Sequence, residues 1–170
     1  MSLVVRDATL DDLPAVAAIY THYTLRTTTT VNTEVRSPRE WRDRFDQHVR
    51  SGPYHLLVAV DDGPLGGAVL GFVETQRFRP KPAYDRSLEL SVYVSPDVQA
   101  RGVGSALYHE LFARIRGGEA FHRAFAIIAL PNDASVAFHE RHGFVHRGTL
   151  SEAGYKFGQY LDIAYYERPV

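Results

Sequence analysis

Apolar positions along this chain follow two periods, and the switches between them mark out its elements. Leu3 to Ala8 reads as a short first strand, and Leu13, Val16, Ala17, Tyr20 and Tyr23 then recur at the spacing of one helix face. Thr9 is a cap for that helix, with Asp12 three residues on. The β-branched run Thr27 to Thr30 disfavours helix and predicts extended or loop structure. Ser37-Pro38-Arg39-Glu40 combines a cap, a first-turn proline and a glutamate at the third position, a helix start whose buried face is Trp41, Phe45 and Val49.

Two β-rich runs, His55 to Val60 and Ala68 to Glu74, flank the turn chemistry of Asp61-Asp62-Gly63-Pro64, which predicts a hairpin. Arg77 to Arg86 holds two prolines and mixed charge and reads as a loop. The clearest strand is Leu88 to Val94, where Leu88, Leu90, Val92 and Val94 alternate with Glu89, Ser91 and Tyr93 before Ser95-Pro96-Asp97 ends it. Gly102 to Arg116 is predicted helical, with Val103, Leu107, Leu111 and Ile115 in one stripe and Gly117-Gly118 as its stop. Ala124 to Leu130 reads as a buried strand and Ser135 to His142 as a short helix ended by Gly143. Phe144 to Thr149 and Leu161 to Tyr166 read as closing strands. Early antiparallel pairs followed by a β-α-β unit give a mixed α+β class, and the absence of repeats or a linker predicts one domain over residues 1–170.

Composition removes several functional classes. The 170 residues suffice for one real core, with 45% apolar and 23% charged positions. A net charge of -1 without a Lys/Arg run gives no footprint for nucleic acid or an anionic membrane. With no cysteine, disulfides, a thiolate nucleophile and Cys-ligated zinc are excluded. Met1 to Asp7 lacks a basic start and a long apolar run, so no signal peptide is expected. No apolar stretch approaches the roughly 20 residues of a membrane span, and a cytoplasmic location is the expectation.

The informative segment runs from Val92 to Leu107, where a strand leads through a loop into a helix opened by Gly102 and Gly104. Free N–H groups and the positive helix end converge there on an anion site, and glycine lets a phosphate approach the backbone. A Rossmann fingerprint needs a third glycine where Leu107 stands, and a nucleotide P-loop needs Gly-Lys-Ser/Thr where Gly104-Ser105-Ala106 stands. The bland alternative is a helix start whose glycines merely permit tight packing. Glu89 is likewise either a functional carboxylate or a solvated one on a half-exposed strand. His139 is either functional or a helix histidine bonded to a neighbour. His139, His142 and His146 do not form His-Glu-x-x-His, and no metal is expected.

Gln99-x-Arg101-Gly102-x-Gly104 resembles the pyrophosphate loop of the GNAT acetyltransferases. Asn132 to Phe144 resembles their second motif, Asn-x-x-Ala-x-x-x-Tyr-x-x-x-Gly-Phe, with Ser135 at the alanine position and His139 at the tyrosine position. Tyr84-Asp85, Glu89 to Pro96, Leu130 to Asp133, His139-Glu140 and Gly154 to Gly158 are similar to the phosphinothricin acetyltransferase and methionine sulfoximine acetyltransferase branch, over nearly the whole chain.

The resemblance implies a GNAT fold, with a central, mostly antiparallel twisted sheet of six to seven strands flanked by helices. It implies acetyl-CoA as co-substrate, a small amino-acid-like amine as acceptor and a homodimer. It further implies Glu89 as general base, with His139 relaying a proton or steadying the leaving thiolate. Gln99, Ala100, Arg101, Gly102, Val103, Gly104 and Ser105 would hold the pyrophosphate. The backbone of Val92, Tyr93 and Val94, with Asn132 and Ser135, would hold the pantetheine arm. Arg79, Pro80, Lys81, Glu89, Leu90, Ser91 and Lys156 would face the substrate, where a carboxylate or phosphinate suits an Arg fork. Val31 to Glu34 holds no aromatic, unlike related sequences. Alternatives are acetylation of another small amine, such as a drug or polyamine, and a non-catalytic acyl-CoA-binding domain.

Overall fold

The computed structural model describes residues 3–50, 52–61, 67–98, 102–116 and 120–170. The chain runs β1 (Leu3–Asp7), α1 (Leu13–Arg26), α2 (Pro38–Phe45), β2 (Leu56–Asp61), β3 (Val69–Arg77) and β4 (Ser87–Val94). It continues through α3 (Val103–Ile115), β5 (Arg123–Leu130), α4 (Asp133–Arg141), β6 (Val145–Lys156) and β7 (Gln159–Pro169). The expected turn at Asp62-Gly63-Pro64, the Gly117-Gly118 stop, and Gln99, Ala100 and Arg101 lie outside the described residues, as does the side chain of Val49.

One seven-stranded sheet takes the order β1-β2-β3-β4-β5-β7-β6, antiparallel at every pairing except the parallel β4–β5 pair. The class is the expected mixed α+β, and β2 shows how the layers form. Leu57 and Ala59 pack towards α3, with Leu107, Leu111 and Val73. Leu56, Val58 and Val60 pack towards α1 and α2, with Val16, Tyr20, Trp41 and Phe72. Covered on both faces, β2 carries an unbroken apolar run instead of an alternation. In β4 the split divides the two sets read from the sequence: Leu88 and Leu90 join the α3 side, and Tyr93 joins the α1 side.

The closing strands are longer than their pattern predicts. β6 begins near the expected Phe144 but extends through Lys156, and β7 spans Gln159–Pro169. Register shifts at His146/Gly148 and Leu150/Gly154 break the two-residue period of β6, and nearly all of this edge strand is exposed, so no apolar alternation announces it. Phe157 and Gly158 turn the hairpin with φ of 51° and 77°, the left-handed pair that a two-residue loop requires. Thr9 and Asp12 do cap reciprocally, but around a short 3₁₀ turn, Leu10–Asp12, that leads into α1. No described helix is long and apolar enough to cross a membrane.

Candidate active site

Glu89 stands on the α1 and α2 side of β4, half-buried, directly across from Gln76 of β3. The Gln76 amide donates to Glu89 Oε1 at 2.9 Å. Arg44 of α2 donates to Gln76 Oε1 at 3.0 Å and grips Glu74 through two bonds, of 3.0 and 2.7 Å. Arg36 reaches the same Glu74 at 3.3 Å. Glu74 is buried, yet the two guanidiniums outweigh the cost of burial and hold its carboxyl below the ordinary range. Among the described residues no charged group bonds Glu89, and burial pushes its carboxyl up, against opposing pulls from the Gln76 amide and the Arg79 charge. A raised carboxyl in a partly enclosed site is the profile of a proton acceptor that works near neutral pH.

Beside Glu89 the sheet comes apart. The parallel register between β4 and β5 holds for Ser87↔Arg123, Leu88↔Ala124 and Glu89↔Phe125, and goes no further. Ser95 N–H donates to Leu70 O on β3, so alternation along β4 turns the backbone groups of Val94 and Val92 towards the edge that β5 has left. The Val94 carbonyl is taken by the Tyr23 hydroxyl at 2.6 Å. The Tyr93 side chain points the other way, edge-on to Tyr20 in the core. Ser91 is half-buried between Glu89 and Tyr93 on their face, whereas the Leu90 side chain is buried on the α3 side and offers that face only backbone.

The first turn of α3 opens at the mouth of this parting. Gly102 caps it with φ of 76°, and a Cβ there would meet no described atom within 4 Å. Val103, Gly104 and Ser105 follow as the first-turn residues whose N–H groups have no partner within the helix. Gly104 has a different reason to be glycine: an added Cβ would lie 3.2 Å from the Phe138 ring. Gly102 therefore fits the anion-site reading, and Gly104 fits the packing one.

On α4, the Asn132 side chain caps the helix by accepting from Ser135 N–H at 3.2 Å. His139 lies buried one turn on. Its Nδ1–H donates to the Ser135 carbonyl at 2.7 Å, and its Nε2 accepts from the fully buried Tyr108 hydroxyl at 2.8 Å. That is the neighbour-bonded histidine weighed above. Among the described residues no group of three or more His, Asp or Glu is arranged to hold a metal ion. A concavity of about 510 Å³, lined by Ser105, His109, Phe112, Arg116, His142 and Arg168 among others, lies between α3, the end of α4 and β7 and does not include Glu89.

The cationic candidates separate. Arg79 donates to the Tyr165 hydroxyl at 2.9 Å and lies over the Phe78 ring, which stacks on Phe125 at 4.0 Å. Together these form an aromatic wall that includes Phe125, the register partner of Glu89 on β5. Pro80 and Lys81 are exposed in the loop beyond. Lys156 is buried, and its ammonium donates to the Thr30 carbonyl at 2.7 Å, fastening the hairpin to the α1–α2 connection. Sequence reasoning missed Gln76, Arg44, Glu74, Tyr108 and Tyr165. The available signal was Glu74 and Gln76 themselves, polar residues two apart on the strand that pairs with Glu89.

The pattern of the acetyltransferase (GNAT) family matches residues 16–144. A phosphinothricin N-acetyltransferase of Streptomyces coelicolor is 44% identical over 98% of this chain and 95% of its own length. An L-methionine sulfoximine/L-methionine sulfone acetyltransferase of Pseudomonas paraeruginosa is 35% identical over 97% of this chain and 93% of its own. The crystal structure of a phosphinothricin acetyltransferase from Sinorhizobium meliloti in complex with acetyl-CoA superposes with a TM-score of 0.90 at 32% identity, covering 100% of this chain and 89% of that one.

Proposed function

This chain belongs to the GNAT family of acetyltransferases, and from that premise we propose that it transfers the acetyl group of acetyl-CoA to the amine of a small amino-acid-like substrate of the phosphinothricin or methionine sulfoximine type. The observation that carries the reading is the position of Glu89: a half-buried carboxylate at the last paired residue before β4 and β5 separate. The sheet draws on the chain from Leu3 to Pro169, which supports one catalytic domain over residues 1–170.

Acetyl-CoA supplies, when bound, an acetyl group activated as a thioester. The residues fit such a ligand: an open, left-handed Gly102 at the N-terminus of α3 suits the pyrophosphate, and the outward backbone of Val92 and Val94 suits an extended amide-bearing arm. Asn132 spends its amide oxygen on the α4 cap and keeps its NH₂ for that arm. Glu89 takes the proton from the substrate ammonium so that nitrogen presents a lone pair. Backbone N–H groups of β4 would polarise the thioester carbonyl, so that as nitrogen bonds to the acetyl carbon the C–S bond breaks and the coenzyme leaves as a thiol carrying the second amine proton. Arg79 keeps donors beyond its bond to Tyr165 and is the best-supported partner for the substrate's carboxylate. His139 serves this reading by joining α4 to α3 through Tyr108. The exposed aromatics Tyr155, Phe157 and Tyr160 support a homodimer.

Glu89→Gln tests the reading. Turnover of acetyl-CoA, screened over a panel of amino acids and analogues that includes phosphinothricin and methionine sulfoximine, should fall roughly 10²–10⁴-fold. Calorimetric affinity for acetyl-CoA should be nearly unchanged, and the acid limb of the pH–rate profile should disappear. Wild-type turnover with an unshifted profile would overturn Glu89 as the base.

A further inference from the structure

We propose that Gln76 is a positioning residue for acetyl transfer: its amide, locked in one orientation by Arg44, binds one oxygen of Glu89 and leaves the other to receive the amine proton. The inference rests on the reading of Glu89 as base. Gln76 and Glu89 are register partners on neighbouring strands, so their side chains leave the same face side by side. An amide has two chemically different ends, and a free one can flip. Here it cannot. Arg44 presents only donors to Gln76, at 3.0 Å, so the end facing Arg44 is the carbonyl and the end facing Glu89 is the NH₂, at 2.9 Å.

Arg44 is itself fixed. Two of its donors hold Glu74, whose other oxygen meets Arg36, and Glu74 is 4% exposed. The order of contact is therefore Arg36, Glu74, Arg44, Gln76, Glu89, anchored in the buried seam between α2 and β3. The Gln76 side chain is neutral and not ionisable, so its donor stays in place through the protonation cycle of Glu89.

The remaining surroundings set the balance. From β3 come Gln76 and the Glu74 charge, from α2 the Arg44 charge, and from the loop after β3 the Arg79 charge. From β5 the register partner is Phe125, which carries none. Burial and Glu74 push the Glu89 carboxyl up, and the Gln76 bond is the foremost opposing influence, ahead of Arg79 and Arg44. Removing the amide donor thus shifts Glu89 towards its protonated form and frees its carboxylate to rotate.

The test uses Gln76→Leu and Gln76→Glu in parallel with Glu89→Gln, assayed with acetyl-CoA and the amine that the panel shows to be turned over. In Gln76→Leu the acid limb of kcat/KM should move up by about one pH unit. Its plateau should fall roughly tenfold. Gln76→Glu keeps a partner for Arg44, so it decides the matter if the leucine variant does not fold. Its limb should move further in the same direction, because two carboxylates then share the site. Acetyl-CoA affinity should stay within about twofold of wild type in both, as the α3 end is untouched. An acid limb at the wild-type position in either folded variant overturns the proposal. If Glu89→Gln removes the limb in that same experiment, the base reading survives and positioning alone fails. If Glu89→Gln keeps the wild-type limb, both fall together.

Discussion

A single histidine shows how local bonding narrows chemical choice. His139 has both ring nitrogens engaged, one with a main-chain carbonyl of its own helix and one with the Tyr108 hydroxyl of α3. Burial pushes its proton affinity down, so the ring is held neutral with the proton on Nδ1. A residue so enclosed acts first as cement between two helices. Tyr108→Phe isolates that role because it keeps the ring packing and strands one buried acceptor, at a cost of about 1 kcal/mol. We expect a melting temperature lower by roughly 2–4 °C with turnover per folded molecule reduced less than about threefold. A large loss of turnover without a change in melting would return His139 to proton relay. Gly104 teaches the same lesson, since its neighbour is the Phe138 ring and substitution there tests packing before it tests cofactor binding.

Between elements, the decisive contact is the one that pins α2 to β3. Glu74 is buried with Arg36 and Arg44, whose side chains are 17% and 22% exposed. Burial acts to raise the Glu74 carboxyl, but the two guanidiniums prevail and lower it. A depressed carboxyl contributes stability that is fully present above its unfolded value and is lost as pH falls through its folded value. Glu74→Gln should therefore be less stable than wild type by about 3 kcal/mol near pH 7, because two guanidiniums lose their counter-charge. The gap should narrow below about pH 4 in urea titrations across pH. A gap independent of pH would show that shape, not charge, matters at this seam. The pairing itself is not legible in the sequence beyond the polar Glu74 and Gln76 on one strand, because Arg44 and Glu74 lie 30 positions apart and only folding makes them neighbours. What was legible had a local cause: the alternation of β4, the Ser37–Glu40 capping box and the glycine-opened α3. The extent of β6 was not, since its bulges and exposure erase the period that sequence reasoning reads. The resemblance implies that Lys156 faces the substrate, whereas its ammonium donates to a carbonyl 126 residues away.

At the scale of the molecule, the β6–β7 hairpin leaves Tyr155, Phe157 and Tyr160 each more than half exposed at and beside its turn. Isolated apolar residues on a surface mean little, but Tyr155 and Tyr160 pack ring against ring at 5.0 Å with exposed Phe157 in the turn between them, and the proposed homodimer rests on these three aromatics. Sedimentation should give the mass of a dimer for the wild type and that of a monomer for Phe157→Glu combined with Tyr160→Glu, with the far-ultraviolet spectrum retained. A monomeric wild type at assay concentrations would remove the patch from the account. The order of the sheet has one more consequence, which concerns synthesis. β7, made last of the strands, lies inside the sheet between β5 and β6. Until it emerges from the ribosome, β5 has no antiparallel neighbour, and the Ala124 to Leu130 run waits with an open edge. The nascent sheet cannot close strand by strand in chain order; it has to hold a gap between β5 and β6 for β7, and it is most exposed to misassembly while that gap stays open.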